Sequence, residues 1–220
     1  MVDIFDEVNE ELRAERAKSL LMRYGGFILA ACVLVVAGAG GWQGWRWWQS
    51  RKDAEAAAQY VAAMAQAESV PGAGAADRAV AAVGFEALAA SAPDGYRTLA
   101  RLRAAALKAD AGDLAGAAIY WDQVAGDKSA DPLLRDLASL LWAQRQIDTG
   151  DPGLLEARLK PLTAPGNPWR AMALEQLALL DLRQGKTDAA KESLRKLSQD
   201  VTAPSGVRGR SGALLAQLGG

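Results

Sequence analysis

The chain has 220 residues, a formal net charge of −1 at pH 7, one cysteine and no histidine. A single cysteine excludes an intramolecular disulfide, and the lack of histidine removes the commonest metal ligand and the commonest general base. The near-zero charge provides no basic field that could hold nucleic acid.

The first 24 residues form a charged segment in which acidic residues come early and basic residues late. This order suits the dipole of a helix that runs into a membrane. Phe5, Val8 and Leu12 recur at helical spacing and form a narrow apolar stripe. We predict a juxtamembrane helix over residues 1–24, which is either solvated or a contact for a cytosolic or membrane partner.

An uncharged run of twenty-one residues follows, from Gly25 to Trp45. A helix of this length covers the roughly 30 Å of hydrocarbon in a bilayer. We predict a transmembrane signal anchor over residues 25–48. Two alternatives stay open, a buried helix of a soluble protein and a cleaved signal peptide with its cleavage site at residues 37–39. The long acidic segment before the run argues against cleavage.

The residues that flank this run predict its orientation. Aromatic side chains typical of membrane interfaces stand at both ends: Tyr24, and Trp42, Trp45, Trp47 and Trp48. Four basic residues precede the run and three follow it, which favours a cytoplasmic N-terminus. They are Arg13, Arg16, Lys18 and Arg23 before it, and Arg46, Arg51 and Lys52 after it.

Small residues recur four positions apart inside the run, a spacing that lets two membrane helices approach closely. They are Ala37, Gly40, Gly41 and Gly44. This face either packs on another transmembrane helix or reflects the small-residue content that is common in such segments.

The sequence beyond residue 92 repeats itself. Four prolines recur at spacings of 39, 36 and 36 residues: Pro93, Pro132, Pro168 and Pro204. Three glycine turns lie between them: Gly112, Gly150 and Gly185. Glycine ends a helix in the left-handed conformation, and proline stops the helix that follows. Each unit is therefore a helical hairpin of roughly tetratricopeptide length.

This pattern predicts an all-α fold, an N-terminal transmembrane helix followed by a tetratricopeptide-like helical-hairpin repeat domain. We predict connecting helices and a degenerate first repeat over 49–92, three repeats over 93–204, and a closing helix over 205–220. Pro161 and Pro165 should shorten the second helix of the middle repeat.

Alignment on the turn glycines brings small and large apolar residues into register, as two closely crossing helices require. The small position of the first helix is Ala105, Ala143 and Ala178. In the second helix the partner position is Ala117, Leu155 and Ala190, and the large position is Trp121, Leu159 and Leu194. Leu155 departs from the small-residue pattern, so we expect a distorted middle repeat.

The N-terminal sequence DIFDEVNEELRAERAKSLLMRYGGF, the apolar run and GWRWWQSRKDAEAA together resemble the YfgM family. The resemblance implies a single-pass protein of the bacterial inner membrane with a periplasmic tetratricopeptide-like domain. It implies association with the SecYEG translocon, with periplasmic chaperones and with exported client chains. That family carries no catalytic motif.

In such stacks the first helix of each pair lines the concave side. The apolar residues of that register predict a partner-binding groove: Leu99, Leu102, Leu137, Leu140, Ile147, Met172, Leu179 and Leu182. Charged residues of the same register are Arg103, Asp148, Glu175 and Arg183. The groove either receives apolar protein segments or is closed by the chain itself, through residues 54–92 or 205–218.

We therefore expect a membrane-anchored adaptor that helps exported proteins, with lipid and protein partners but no nucleic acid. A structural scaffold that docks folded envelope or cell-division proteins is the alternative. We expect no enzymatic activity, cofactor or metal. The Gly-rich stretch PGAGAAD lacks the lysine and hydroxyl residue of a phosphate-binding loop and is interpreted as a linker.

Overall fold

The computed structural model describes residues 4–68 and 74–219, with side chains at Lys18, at 22–27 and from 29 onward. The chain is 83% helical, and no strand occurs in the described ranges, which confirms the all-α prediction. The α-helices of those ranges are α1 Ile4–Glu68, α2 Ala75–Ser91, α3 Asp94–Asp110, α4 Leu114–Gly126, α5 Pro132–Gln146, α6 Pro152–Leu159, α7 Arg170–Arg183, α8 Thr187–Gln199 and α9 Ser205–Gln217. The predicted apolar stripe of the N-terminal segment lies outside the described side chains.

The chain divides into two compact units, Met1–Lys52 and Asp53–Gly220. In the first unit, α1 carries the apolar run, and its part Met22–Glu68 is long and apolar enough to cross a membrane. None of its most apolar window is buried, unlike the core helix of a soluble protein. A membrane anchor and a signal sequence both fit its length and composition.

Cations lie over tryptophan rings where the apolar run ends. Three consecutive pairs have the spacing of neighbours on one helix face: Arg46 over Trp42 at 5.6 Å, Arg51 over Trp47 at 4.2 Å and Lys52 over Trp48 at 3.7 Å. The ring faces attract the cations while the rings themselves stay exposed. This arrangement suits a membrane interface, where one end of a side chain is apolar and the other is hydrated.

In the second unit, each helix from α2 to α8 packs on the next one along the chain, as in a repeat stack. Two main apolar clusters hold it together. The first cluster surrounds Phe85 and contains side chains of α1 (residues 56–67), α2 and α3. The second surrounds Trp121 and contains side chains of all five helices from α3 through α7. A smaller cluster joins α7, α8 and α9 around Val207.

The aligned repeat positions form the centre of the packing. All nine side chains are at most 1% exposed: Ala105, Ala143, Ala178, Ala117, Leu155, Ala190, Trp121, Leu159 and Leu194. The small residues let two helix backbones approach, and the large residue fills the space one turn further on. The register predicted from the turn glycines agrees with this burial.

The turns between paired helices differ in one respect from the prediction. Gly112 and Gly185 are left-handed, with φ of 91° and 76°, but Gly150 is not among the glycines with positive φ. Its N–H donates to the Gln146 carbonyl at 2.7 Å, and a Cβ there would lie 2.9 Å from that oxygen. Glycine is thus required at this turn for close backbone approach and not for a left-handed conformation.

The middle repeat is irregular, as its prolines predict. Helix α6 has only eight residues and passes directly into a 3₁₀ turn, Lys160–Thr163, which contains Pro161. The ring of Pro161 cannot donate the hydrogen bond that would continue an α-helix. A left-handed Gly166, with φ of 86°, then turns the chain towards α7.

The first and last repeats end in the same short motif, Asp-X-Ser/Thr-Ala. Asp127 accepts hydrogen bonds from the Ser129 N–H at 3.0 Å and hydroxyl at 2.6 Å, and Asp200 accepts from Thr202 at 2.9 and 2.6 Å. These bonds hold the pKa of both carboxyls below the usual value of 3.8. The motif recurs after 73 residues in the sequence, which is a further sign of the repeat beside the proline and glycine spacings.

These two carboxylates should make the domain sensitive to acid. Because their folded pKa values are lowered, they stabilise the fold above pH 3.8, and this contribution is lost as the pH falls through the folded pKa values. We expect Asp127→Asn combined with Asp200→Asn to lower the unfolding free energy near neutral pH, and the difference from the wild type to shrink below about pH 4. Urea titrations across this pH range provide the measurement. A constant difference at every pH would contradict the assignment.

Trp121 supplies the second prediction, since it is the largest fully buried side chain of the repeat domain's described part. Trp121→Ala should lower the unfolding free energy by about 3–5 kcal/mol, because it removes a large apolar side chain and leaves a cavity. Ile119→Ala, on the same helix but 58% exposed, is the matched control and should change stability by less than about 0.5 kcal/mol. Denaturant unfolding of the two variants tests this, and similar losses would argue against the packing described.

Candidate functional site

A cleft of about 450 Å³ opens among helices α5, α7, α8 and α9. Its apolar wall consists of Ile147, Leu179, Leu194 and Leu214. Its polar lining includes Glu175, Gln176, Arg210 and Ser211. The volume lies in the range of ligand sites in proteins, although polar and charged side chains form about half of the lining.

A bidentate ion pair spans α7 and α9 beside the cleft. The Nε and Nη2 atoms of Arg210 each donate to a different oxygen of Glu175, both at 2.7 Å. The Glu175 side chain is only 8% exposed, whereas that of Arg210 is 62% exposed. The bond to Glu175 raises the pKa of Arg210 above its ordinary value. The pair neutralises a nearly buried carboxylate and fixes α9 against α7.

Two other polar side chains of the lining have no partner. Gln176 is 6% and Ser211 1% exposed, and neither the Gln176 Oε1 nor the Ser211 Oγ makes a hydrogen bond within the described residues. Buried polar atoms are normally paired, because an unpaired one loses its bond to water without compensation. Both atoms are enclosed by the chain's own packing behind the wall of the cleft, so they belong to the α7–α9 contact and are not open to an occupant.

The predicted groove residues fall into four environments. Leu140 is buried in the main apolar cluster, and Leu102, Ile147 and Met172 pack against that cluster. Leu137, Leu179 and Leu182 are half-buried, and Leu99 is exposed. The structure brings only Ile147 and Leu179 of this set to the cleft.

The charged residues predicted for the groove also lie in different environments. Arg183 donates to the carbonyls of Ile147 and Gly150, at 2.6 and 2.7 Å, and so satisfies acceptors left free where α5 ends. Glu175 forms the ion pair with Arg210 described above. Arg103 has a buried Nε without a partner, and Asp148 is exposed.

Sequence reasoning named Glu175 among the charged residues of the groove but missed Gln176, Arg210 and Ser211. Arg210 and Ser211 lie on α9, which has no equivalent in the aligned repeats, so the repeat register could not place them. The Glu175-Gln176 and Arg210-Ser211 pairs are 35 residues apart, close to the length of one repeat. This spacing was the available signal that the two pairs lie at equivalent positions.

The small residues of the apolar run are exposed, and a Cβ built on Gly40, Gly41 or Gly44 would meet no atom of this chain within 4 Å. That face is thus not covered by the described part of the chain. Among all the residues that the structure describes, no three His, Cys, Asp or Glu side chains are grouped so that they could hold a metal ion.

Stacked helical hairpins with a side-chain-lined cleft define a helical-repeat protein of the kind that binds other proteins. A family model described as a tetratricopeptide repeat-like domain matches residues 18–140, more than half of the chain. The chain belongs to this family. A search of curated proteins and a search of solved structures each gave no match. The matched range ends within α5, before the cleft residues.

The environments of Leu140 and Leu179 give a third prediction. Leu140 is 3% exposed within the core, so Leu140→Ala should lower the unfolding free energy by about 2–5 kcal/mol. Leu179 lies at the edge of the cleft and is half-buried, so the same truncation should cost less than half as much. Equilibrium unfolding of both variants measures this, and equal losses would place Leu179 in the core instead of a binding surface.

Proposed function

We propose that the protein is a single-pass, membrane-anchored tetratricopeptide-like adaptor that associates with the Sec translocon and assists the handover or chaperoning of exported proteins. The observation that carries this proposal is the combination, in one chain, of an exposed apolar helix long enough to span a bilayer and a helical-repeat domain. The first would hold the protein at the membrane, and the second would supply a protein-binding surface.

The proposed location is the bacterial inner membrane, with residues 1–24 in the cytoplasm and the domain beyond residue 48 in the periplasm. The excess of basic residues before the apolar run supports this orientation. The tryptophan–cation pairs from Trp42 to Lys52 support a membrane–water interface at the C-terminal end of the apolar run. Within the domain we propose a degenerate repeat over 49–92, three repeats over 93–204 and a closing helix over 205–220.

The likeness of residues 3–60 to the YfgM family supports SecYEG, periplasmic chaperones and exported clients as partners. The small-residue face around Gly40 and Gly41 would contact a translocon helix, since this chain leaves it uncovered. In the domain, the proposed client surface is the half-buried part of the concave register, centred on Ile147 and Leu179. Leu140 would support this surface from beneath.

A scaffold that docks folded envelope or cell-division proteins is the competing function. It would use the same anchor and the same repeats, because both functions need a membrane-tethered protein-binding domain. The two differ in the state of the bound protein. A client in handover is a chain that has not yet folded, whereas a scaffold binds finished surfaces.

Photo-crosslinking in intact membranes tests the proposal. A photoreactive amino acid at Gly41 should crosslink to a translocon subunit, and one at Leu182 should crosslink to newly exported chains during a short pulse label. Val35, on the opposite face of the membrane helix, and the exposed Ile119 on α4 are the matched control positions. Crosslinks from Leu182 to folded envelope proteins alone, with none to the translocon from Gly41, would favour the scaffold.

A further inference from the structure

Four tryptophans and three cations form a collar around α1 at the C-terminal end of the apolar run. The sequence has no acidic residue between positions 25 and 52. None of the three cations takes part in an ion pair among the residues that the structure describes, so their charge is left for an outside partner. The members of the collar are Trp42, Trp45, Arg46, Trp47, Trp48, Arg51 and Lys52.

The pairing of cations with rings sets the depth of the charges. Each cation belongs to the residue four positions after its tryptophan, which is about 6 Å further along the helix axis. Helical side chains lean towards the N-terminus, and here the charged ends reach back as far as the rings. The Lys52 Nζ lies 3.7 Å from the centre of the Trp48 ring. The charges therefore lie at the level of the tryptophans, which in a bilayer is the level of the headgroups.

The three cations do not share one face of the helix. Since successive residues of an α-helix are about 100° apart, Arg46, Arg51 and Lys52 are separated by about 140°, 100° and 120° around the axis. A single acidic patch on a protein partner can meet one or two of them. Headgroups that surround the helix meet all three, so the distribution favours lipids as the counterpart of this charge.

The charge of the collar also specifies the class of lipid. A zwitterionic headgroup carries its own ammonium beside the phosphate, whereas a phosphatidylglycerol headgroup leaves the negative charge uncompensated. One basic residue at an anionic membrane surface strengthens the association by about fivefold. The four indole rings are 45–64% exposed, and each carries an N–H that can donate to a phosphate oxygen.

We propose that the collar binds anionic phospholipid headgroups, which surround α1 at this end of the apolar run. This inference rests on the membrane anchoring in the proposed function and deepens it, because it adds a lipid partner of defined charge. It also means that no protein covers the helix at this level.

Tryptophan quenching by bromine-labelled lipids tests the proposal on the full chain. The protein is reconstituted in phosphatidylcholine vesicles that contain one-fifth phosphatidylglycerol. The label is placed on the phosphatidylglycerol in one sample and on an equal amount of the phosphatidylcholine in the other. Bromine quenches only the indoles that it contacts, so the ratio of the two signals measures the lipid next to the collar. The anionic lipid should be enriched there about three- to fivefold over the bulk bilayer.

Three substitutions separate the role of charge from that of shape. Arg46→Gln, Arg51→Gln and Lys52→Gln together should abolish the enrichment, and each alone should remove a similar share, because the cations face separate lipids. All three side chains are exposed, so the fold should not change. Arg46→Lys with Arg51→Lys is the matched control, which keeps the charge and should keep the enrichment within about twofold.

Three results would overturn the proposal. These are equal quenching by the two labelled lipids, enrichment that persists in the triple variant, and complete loss of enrichment in one single variant, as expected of a site on one face. Flotation of the vesicles separates this inference from the proposed function. A chain that floats without lipid preference contradicts the collar alone, whereas a chain that does not float contradicts the membrane anchor as well.

Discussion

The close approach of paired helices at small residues is the constraint on which the repeat domain depends. At Ala105 with Ala117, and at Ala178 with Ala190, the aligned residues have no exposed surface, so nothing larger fits without moving a backbone. The middle hairpin has Leu155 at the equivalent position, and its second helix is also the short one.

That irregularity has a consequence for the candidate site. Because α6 ends early and passes into a 3₁₀ turn, the middle hairpin provides less second-helix surface than the others. Arg183 of α7 donates to the carbonyls of Ile147 and Gly150 and so ties the last repeat to the turn of the middle one. This bond also fixes Ile147, which forms one side of the cleft.

The sequence predicted the fold more completely than the site. Glycine and proline spacing, together with the alternation of small and large residues, identified the repeat and its buried positions, because these depend on contacts within one hairpin. The unpaired Gln176 and the Glu175–Arg210 pair depend on how α9 packs across α7. No local pattern records such a contact, and the concave register alone could not separate the buried Leu140 from the half-buried Leu179.

Helix α9 gives the cleft one wall, and its sequence makes that wall easy to detach. It contains Gly206, Gly209 and Gly212 within thirteen residues, each less favourable in a helix than alanine by about 1 kcal/mol. Docking through Val207 and Arg210 must therefore hold it in place. Opening of this terminal helix alone would abolish the cleft while the other hairpins stay folded, so occupancy would slow amide hydrogen exchange in α9 first.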